Sequence, residues 1–229
     1  MGRNAVSEAL RRKAIVVNDS LASTYGREEL PPGENPVDTL VETILSQNTT
    51  DLNSHKAFKR LKARFPEWEE LLDADPSLVA DIIRSGGLAD IKARRIIGAL
   101  KRVKSETGRL SMDFLSERSP SEAMEWLSSI DGVGPKTAAI VVLFSFGKPA
   151  FPVDTHIFRV GRRLGLISQS ASRESAQKEL EGLVPEEEFY SMHINLIEHG
   201  RSKCRPRNPK CSECELSEYC LFMKTGGTP

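Results

Sequence analysis

Lys136 is the residue whose position is hardest to explain by folding alone. It precedes an apolar run, Thr137–Phe146 (TAAIVVLFSF), and follows Gly134 and Pro135. Proline suits the first position of a helix, so Gly134 is the expected N-cap and Lys136 falls in the first turn. A helix start carries partial positive charge, and a cation there is electrostatically misplaced. The same field, with partial burial, would lower the lysine pKa and free its amine as a nucleophile. Asp154 opens the next helix in Val153-Asp154-Thr155-His156, a frequent place for a capping aspartate. Backbone donors there would keep its carboxylate ionised at neutral pH. An amine nucleophile and a fixed anion suit attack on a carbon that develops positive charge.

The spacing lets the two meet. A helix from Pro135 to Phe146 is about 18 Å long, and the residues Gly147–Val153 span about 23 Å when extended. The chain can therefore run out along the helix and return Asp154 near Lys136. Just upstream, Gly132-Val133-Gly134 permits positive φ and leaves backbone N–H groups uncovered. Such groups at a helix start can bind a phosphate without reading sequence. Taken alone, the same three residues also make an ordinary tight turn.

The four cysteines all lie between Cys204 and Cys220, as Cys204-x6-Cys211-x2-Cys214-x5-Cys220. In a reducing compartment such a cluster points to a metal site before it points to disulfides. Four thiolates this close along the chain can hold a tetrahedral zinc or an iron–sulfur cluster, and the spacing leaves both open. Between the first two lie Arg205, Pro206, Arg207, Asn208, Pro209 and Lys210. Three cations on a loop pinned at both ends form a phosphate-binding surface.

The elements that must position these groups read as all-helical. A first helix covers Ala5–Tyr25, and one from Pro36 to Ser46 follows a proline-rich break. A third starts at Thr50 or Asp51 with Ala57, Leu61 and Phe65 inward, and Pro66 stops it. Short helices follow at Trp68–Asp73 and Pro76–Ser85. Gly86-Gly87 turns the chain into a long basic helix, Ile91–Thr107. Ser119-Pro120 starts a helix that ends at Ser129, and Ser172–Leu183 and Glu186–Gly200 add a final pair. Lys+Arg and Asp+Glu balance at 32 each among 229 residues. Basic residues still gather at Arg11–Lys13, Lys92–Lys104 and Arg201–Lys210, which allows one positive face on a neutral protein. No apolar run reaches the roughly 20 residues of a membrane span. The N-terminus lacks a secretory pattern, and Val6 stands where a myristoylation signal needs Ser or Thr. A cytoplasmic, monomeric protein is expected.

The cysteine spacing resembles the iron–sulfur motif of the endonuclease III family of DNA glycosylases position for position. The resemblance implies a [4Fe–4S] cluster on Cys204, Cys211, Cys214 and Cys220, acting as a structural staple. Ile130–Ala138 resembles the family's helix–hairpin–helix, Leu-Pro-Gly-Val-Gly-x-Lys-Thr-Ala. Asp131 replaces the proline, which would loosen the turn and add a negative charge near the phosphate site. By resemblance, Gly132, Val133 and Gly134 bind DNA, Lys136 attacks the sugar C1′ to form a Schiff base, and Asp154 assists base release and the lyase steps. His156 and Arg159 are implied to support the site or the phosphodiester, and Arg205, Arg207 and Lys210 to contact DNA. Leu45–Asp51 resembles Leu-Ser-x-Gln-x-x-Asp, in which glutamine fills the space left by an extruded base. Aligned on Ser46 and Asp51 that position is Asn48, which is shorter, so the plug falls to Asn48 or its neighbour Gln47. Leu88 matches the second intercalating turn.

The implied fold has two helical domains. Residues 29–148 form a helical barrel bearing the hairpin, and residues 1–28 with 149–229 form the cluster domain, the active site lying in the cleft. The implied activity is a bifunctional DNA glycosylase and AP lyase acting on double-stranded DNA with oxidised pyrimidines or abasic sites. Thymine- or adenine-mismatch glycosylases of the same superfamily are the nearest alternatives, although the adenine enzymes usually lack a lysine at position 136. A non-catalytic damaged-DNA-binding protein is the alternative from another class.

Overall fold

A computed structural model describes residues 2–31 and 33–226, with side chains from residue 8. Among them there is no strand, and no helix is long and apolar enough to cross a membrane. The chain divides into two compact units, one comprising Pro32–Lys148 and the other joining Met1–Pro31 to Pro149–Pro229.

The Pro32–Lys148 unit is built around α2 (Pro36–Ser46), whose Val37, Leu40, Val41, Ile44 and Leu45 are all buried. Such near-complete enclosure requires partners on several faces. They are α3 (Asp51–Arg64), α5 (Ala89–Thr107) and α7 (Pro135–Ile140). α4 (Pro76–Ile82) packs on α5, and α6 (Pro120–Ser128) packs on α7. Local chemistry sets the starts. The Asn35 side chain accepts from Val37 and Asp38 N–H ahead of Pro36. Thr50 caps α3, and Ser119 forms a capping box with Glu122 at α6.

The helix expected through Phe146 changes character. It is α-helical only to Ile140 and π-helical over Val141–Ser145. The end of that π segment is tied to the entry of α2. Glu34 N–H donates to Phe144 O at 3.4 Å, and the Ser145 hydroxyl donates to Thr39 Oγ1 at 2.9 Å.

In the other unit, α1 (Gly2–Tyr25) packs on α10 (Phe189–Ser202), and α10 packs on α8 (Thr155–Leu164). Buried Val17, Leu21, Ile157, Val160, Met192 and Leu196 form the core with Phe151 and Phe189. Those two rings meet edge-on at 5.4 Å. α9 (Arg173–Glu181) adds Ala176 and Leu180, and the short α11 (Leu221–Lys224) closes against α8.

Gly33 is where the entry to α2 comes closest to the π segment. A Cβ there would lie 2.5 Å from Ser145 O, a backbone atom with little freedom to yield. Gly33→Ala is expected to cost about 1–3 kcal/mol, read as a lower urea midpoint at unchanged m-value.

Candidate active site

The hairpin sits between α6 and α7. Val133 N–H donates to Ile130 O at 3.0 Å, closing the turn although Asp131 stands where the family pattern has proline. Gly132 takes φ +80°. The Val133 side chain is buried, so it anchors the turn from below. Gly134 is the N-cap of α7 and Pro135 its first residue, and no side chain caps that end. Its exposed N–H donors remain the feature that suits an anion.

Gln47 and Arg95 brace this turn. Gln47 Nε2 donates to Gly132 O at 2.9 Å, and Arg95 Nη1 donates to Gln47 Oε1 at 3.1 Å. The Arg95 stem lies against Gly132, where a Cβ would fall 2.5 Å from Arg95 Cδ. Of the two candidates for the plug, Gln47 is therefore tied to the hairpin, whereas Asn48 is exposed at the tip.

Lys136 is exposed in the first turn of α7, while Thr137, Ala138 and Ala139 take the buried side. The partial burial expected for its amine is a correction: the helix rotates its apolar face, and not the lysine, into the core. Asp154 is half-buried and caps α8, its Oδ1 accepting from Ile157 N–H at 2.7 Å.

Arg159, expected to support the site or the phosphodiester, is turned inward. Its Nε donates to Cys204 O at 3.0 Å, and its Nη2 donates to Gly200 O at 2.9 Å and to His156 Nδ1 at 3.2 Å. Both residues of the pair brace α8 against the end of α10. Arg205, Arg207 and Lys210 are exposed on the loop between the first two cysteines. Among the described residues, the non-glycine positions with positive φ are Asn48 (52°), Leu88 (51°) and Asn208 (50°). Each lies in a segment that the sequence marks as facing DNA. For a leucine this conformation costs about 1–2 kcal/mol, and such strain collects at functional sites.

Cys204, Cys211, Cys214 and Cys220 line one pocket together with Val160, Arg163, Leu164 and His199. Among the described residues no group of three or more His, Cys, Asp or Glu is gathered to hold a single metal ion. Four cysteines on one pocket are a donor set for an iron–sulfur cluster or a zinc ion. Burial, then the neighbouring thiols, raise Cys211, and burial chiefly pushes Cys214 up to about 11. Two side chains face the sulfurs: Arg163 Nη1 donates to Cys204 Sγ at 3.4 Å, and His199 Nε2 lies 3.7 Å from Cys214 Sγ. His199 Nδ1 lies 3.1 Å from Tyr25 Oη. The same Nδ1 lies 3.1 Å from Glu215 Oε1, a carboxylate oxygen that can only accept.

A model of the HhH-GPD superfamily of base excision DNA repair proteins matches residues 41–186. The chain belongs to that superfamily. A model of the iron–sulfur binding domain of endonuclease III matches residues 204–220, so the cysteine segment is an iron–sulfur site. Endonuclease III of Thermotoga maritima is 36% identical over 193 residues, 84% of this chain and 86% of that protein. An Arabidopsis thaliana protein is 38% identical over 182 residues. The chain spans only 59% of that relative's length. Among solved structures, a trapped covalent endonuclease III–DNA intermediate matches at TM-score 0.79 and 30% identity, covering 94% of this chain and 97% of that one. A thermostable thymine-DNA glycosylase matches at TM-score 0.75 and 24% identity, which shows the shared fold. This is an endonuclease III-like DNA glycosylase with the helix–hairpin–helix at Ile130–Ala138.

Sequence reasoning missed Lys92, Arg95, Arg163 and His199. Lys92 carried a readable signal: it shares the apolar stripe of Ile96, Leu100 and Val103 at helical spacing. The other three had none.

Two outcomes follow from this geometry. Gly132→Ala, strained at φ +80° and crowding Arg95, should destabilise the protein by about 1–2 kcal/mol and weaken binding of undamaged duplex in fluorescence anisotropy. Cys214→Ala should lower bound iron and visible absorbance and make the 204–220 segment sensitive to protease.

Proposed function

We propose that the protein is a bifunctional DNA glycosylase and AP lyase that removes oxidised pyrimidines and nicks the strand through a lysine Schiff base. The observation that carries this reading is Lys136 in the first turn of α7, immediately after a hairpin whose backbone donors are uncapped. The trapped covalent complex of the similar endonuclease III supports it.

In this reading the damaged base is extruded, Asn48 fills its place and Leu88 wedges the partner strand. The hairpin N–H groups and the Arg205, Arg207 and Lys210 loop hold phosphates. The Lys136 amine attacks C1′ as the C1′–N bond breaks, and the departing base takes up a proton. The Asp154 carboxylate stabilises positive charge developing on the sugar. The nitrogen loses one proton, the C1′–O4′ ring bond breaks with O4′ taking up a proton, and the protonated Schiff base forms. A proton then leaves C2′, and the C3′–O bond breaks by β-elimination as the phosphate departs. Water then releases the lysine. Lys136 is exposed in the free protein, so the desolvation that favours a neutral amine comes from bound DNA. Cys204, Cys211, Cys214 and Cys220 would hold the iron–sulfur cluster, which supplies cross-links that fix the basic loop.

Borohydride trapping on duplex DNA with an abasic site or thymine glycol tests the proposal, with a G·T mismatch duplex as a third substrate. Wild type should give a covalent adduct on the first two, and Lys136→Ala should give none. An undiminished adduct from Lys136→Ala, or none from wild type, sinks the lyase reading, and excision confined to G·T DNA moves the substrate to mismatches. Asparagine caps helices as well as aspartate does. Asp154→Asn should therefore leave the melting temperature nearly unchanged while single-turnover excision falls roughly 100-fold.

A further inference from the structure

Lys92, in the first turn of α5, is 1% exposed and is among the largest fully enclosed side chains of the described protein. An ammonium loses its hydration on burial and is ordinarily compensated by a carboxylate. No acidic group contributes here; burial alone pushes the lysine down to about 8. Methionine would fill similar space without that cost. The amine donates instead to two backbone carbonyls, Leu45 O at 2.6 Å and Gly86 O at 2.7 Å.

Those carbonyls are the last fixed points before two turns. Leu45 lies in the final turn of α2, where carbonyls lack helical donors, and Asn48 follows three residues later. Gly86 ends a short 3₁₀ turn, and Leu88 follows two residues later. Both tips are exposed and both are held at positive φ, Asn48 at 52° and Leu88 at 51°. The two turns also approach closely, since a Cβ on Gly86 would meet Ala57 Cβ at 3.4 Å and Leu45 O at 3.9 Å. Strained tips persist only where their surroundings over-determine them. One cation bonded to the base of each turn fixes both together.

We propose that Lys92 is a positioning residue that locks the Asn48 and Leu88 turns into a single rigid fork, so that plug and wedge enter the duplex in one step. The proposal deepens the functional reading above and rests on its claim that both tips enter DNA. It assigns Lys92 no contact with the substrate. Loss of the lock should therefore impair the opening of paired DNA and spare the chemistry on a nucleotide that is already extruded.

The test compares wild type, Lys92→Met and Lys92→Arg on the same lesion in a fully paired duplex and in an unpaired bulge. A 2-aminopurine beside the lesion reports extrusion independently of bond cleavage. Lys92→Met should lose the fluorescence rise and slow single-turnover excision from the paired duplex roughly 100-fold, the scale of a small misplacement. Excision from the bulge should be nearly unchanged. Lys92→Arg, which keeps a buried cation and donors, should recover part of the paired-duplex rate. Equal losses on both substrates would reduce Lys92 to a structural role and overturn the proposal, as would full retention of the signal in Lys92→Met. If Lys92→Met does not fold, Lys92→Arg decides: a loss confined to paired DNA supports the fork, and a uniform loss or none overturns it. A wild type that produces no fluorescence rise overturns duplex insertion itself and the role of Lys92 with it.

Discussion

Positive φ at Asn48, Leu88 and Asn208 is the constraint around which each unit is arranged. A side chain in the left-handed region adds a steric cost that the local sequence does not repay. The compensation must come from groups fixed elsewhere in the same unit. In the Pro32–Lys148 unit it comes from polar bonds laid across a buried helix end. Lys92 reaches the carbonyls of Leu45 and Gly86, and Gln47 joins Gly132 O to Arg95. Such bonds are directional, so they set the aim of a turn as well as its depth. Apolar packing is non-directional and would hold the turns down without orienting them.

The cysteine segment meets the same need with different means. It contributes little apolar core of its own, with Leu216 and Pro209 as its buried residues. Its shape comes from bonds to its backbone. Arg159 donates to Cys204 O, and Arg163 donates to Cys204 Sγ, Arg205 O and Pro206 O. Those arginines lie on α8, whose first residues follow the Asp154 cap. The iron–sulfur cluster would add metal–thiolate bonds on both sides of the Arg205–Lys210 loop. Cations aimed at a phosphate are worth most when the loop that bears them has little entropy left to lose. A soft loop with the same charges would bind more weakly.

Helices were legible because their starts are written locally: Asn35 with Pro36, Ser119 with Pro120 and Glu122, and Asp154 with Thr155 each state a cap in adjacent residues. The helix-start positions of Lys136 and Asp154 and the iron–sulfur segment were legible through motifs that sit on one helix end or one loop. What escaped was everything that depends on which elements become neighbours. Lys92 fell inside a run of basic residues and was counted as surface, although its spacing placed it on the buried stripe. The resemblance implies that Arg159 supports the site or the phosphodiester, and the bonds it makes to Cys204 O and Gly200 O depend on α8 lying against the end of α10. The π segment at Val141–Ser145 also escaped, since its apolar residues read equally well as ordinary helix.

The exposure of Lys136 completes the division of labour. A lysine made nucleophilic by permanent burial would impose its desolvation cost on the folded protein at all times. In the proposed mechanism that cost arises only while DNA covers α7, and binding energy from the phosphate contacts can offset it. The protein instead keeps its permanently buried amine at Lys92, where hydrogen bonds to two carbonyls compensate part of the lost hydration. In that mechanism one lysine is enclosed and shapes the protein, and the other stays exposed until DNA covers it. On this reading burial divides the two amines, the enclosed Lys92 serving as scaffold and the exposed Lys136 as reagent.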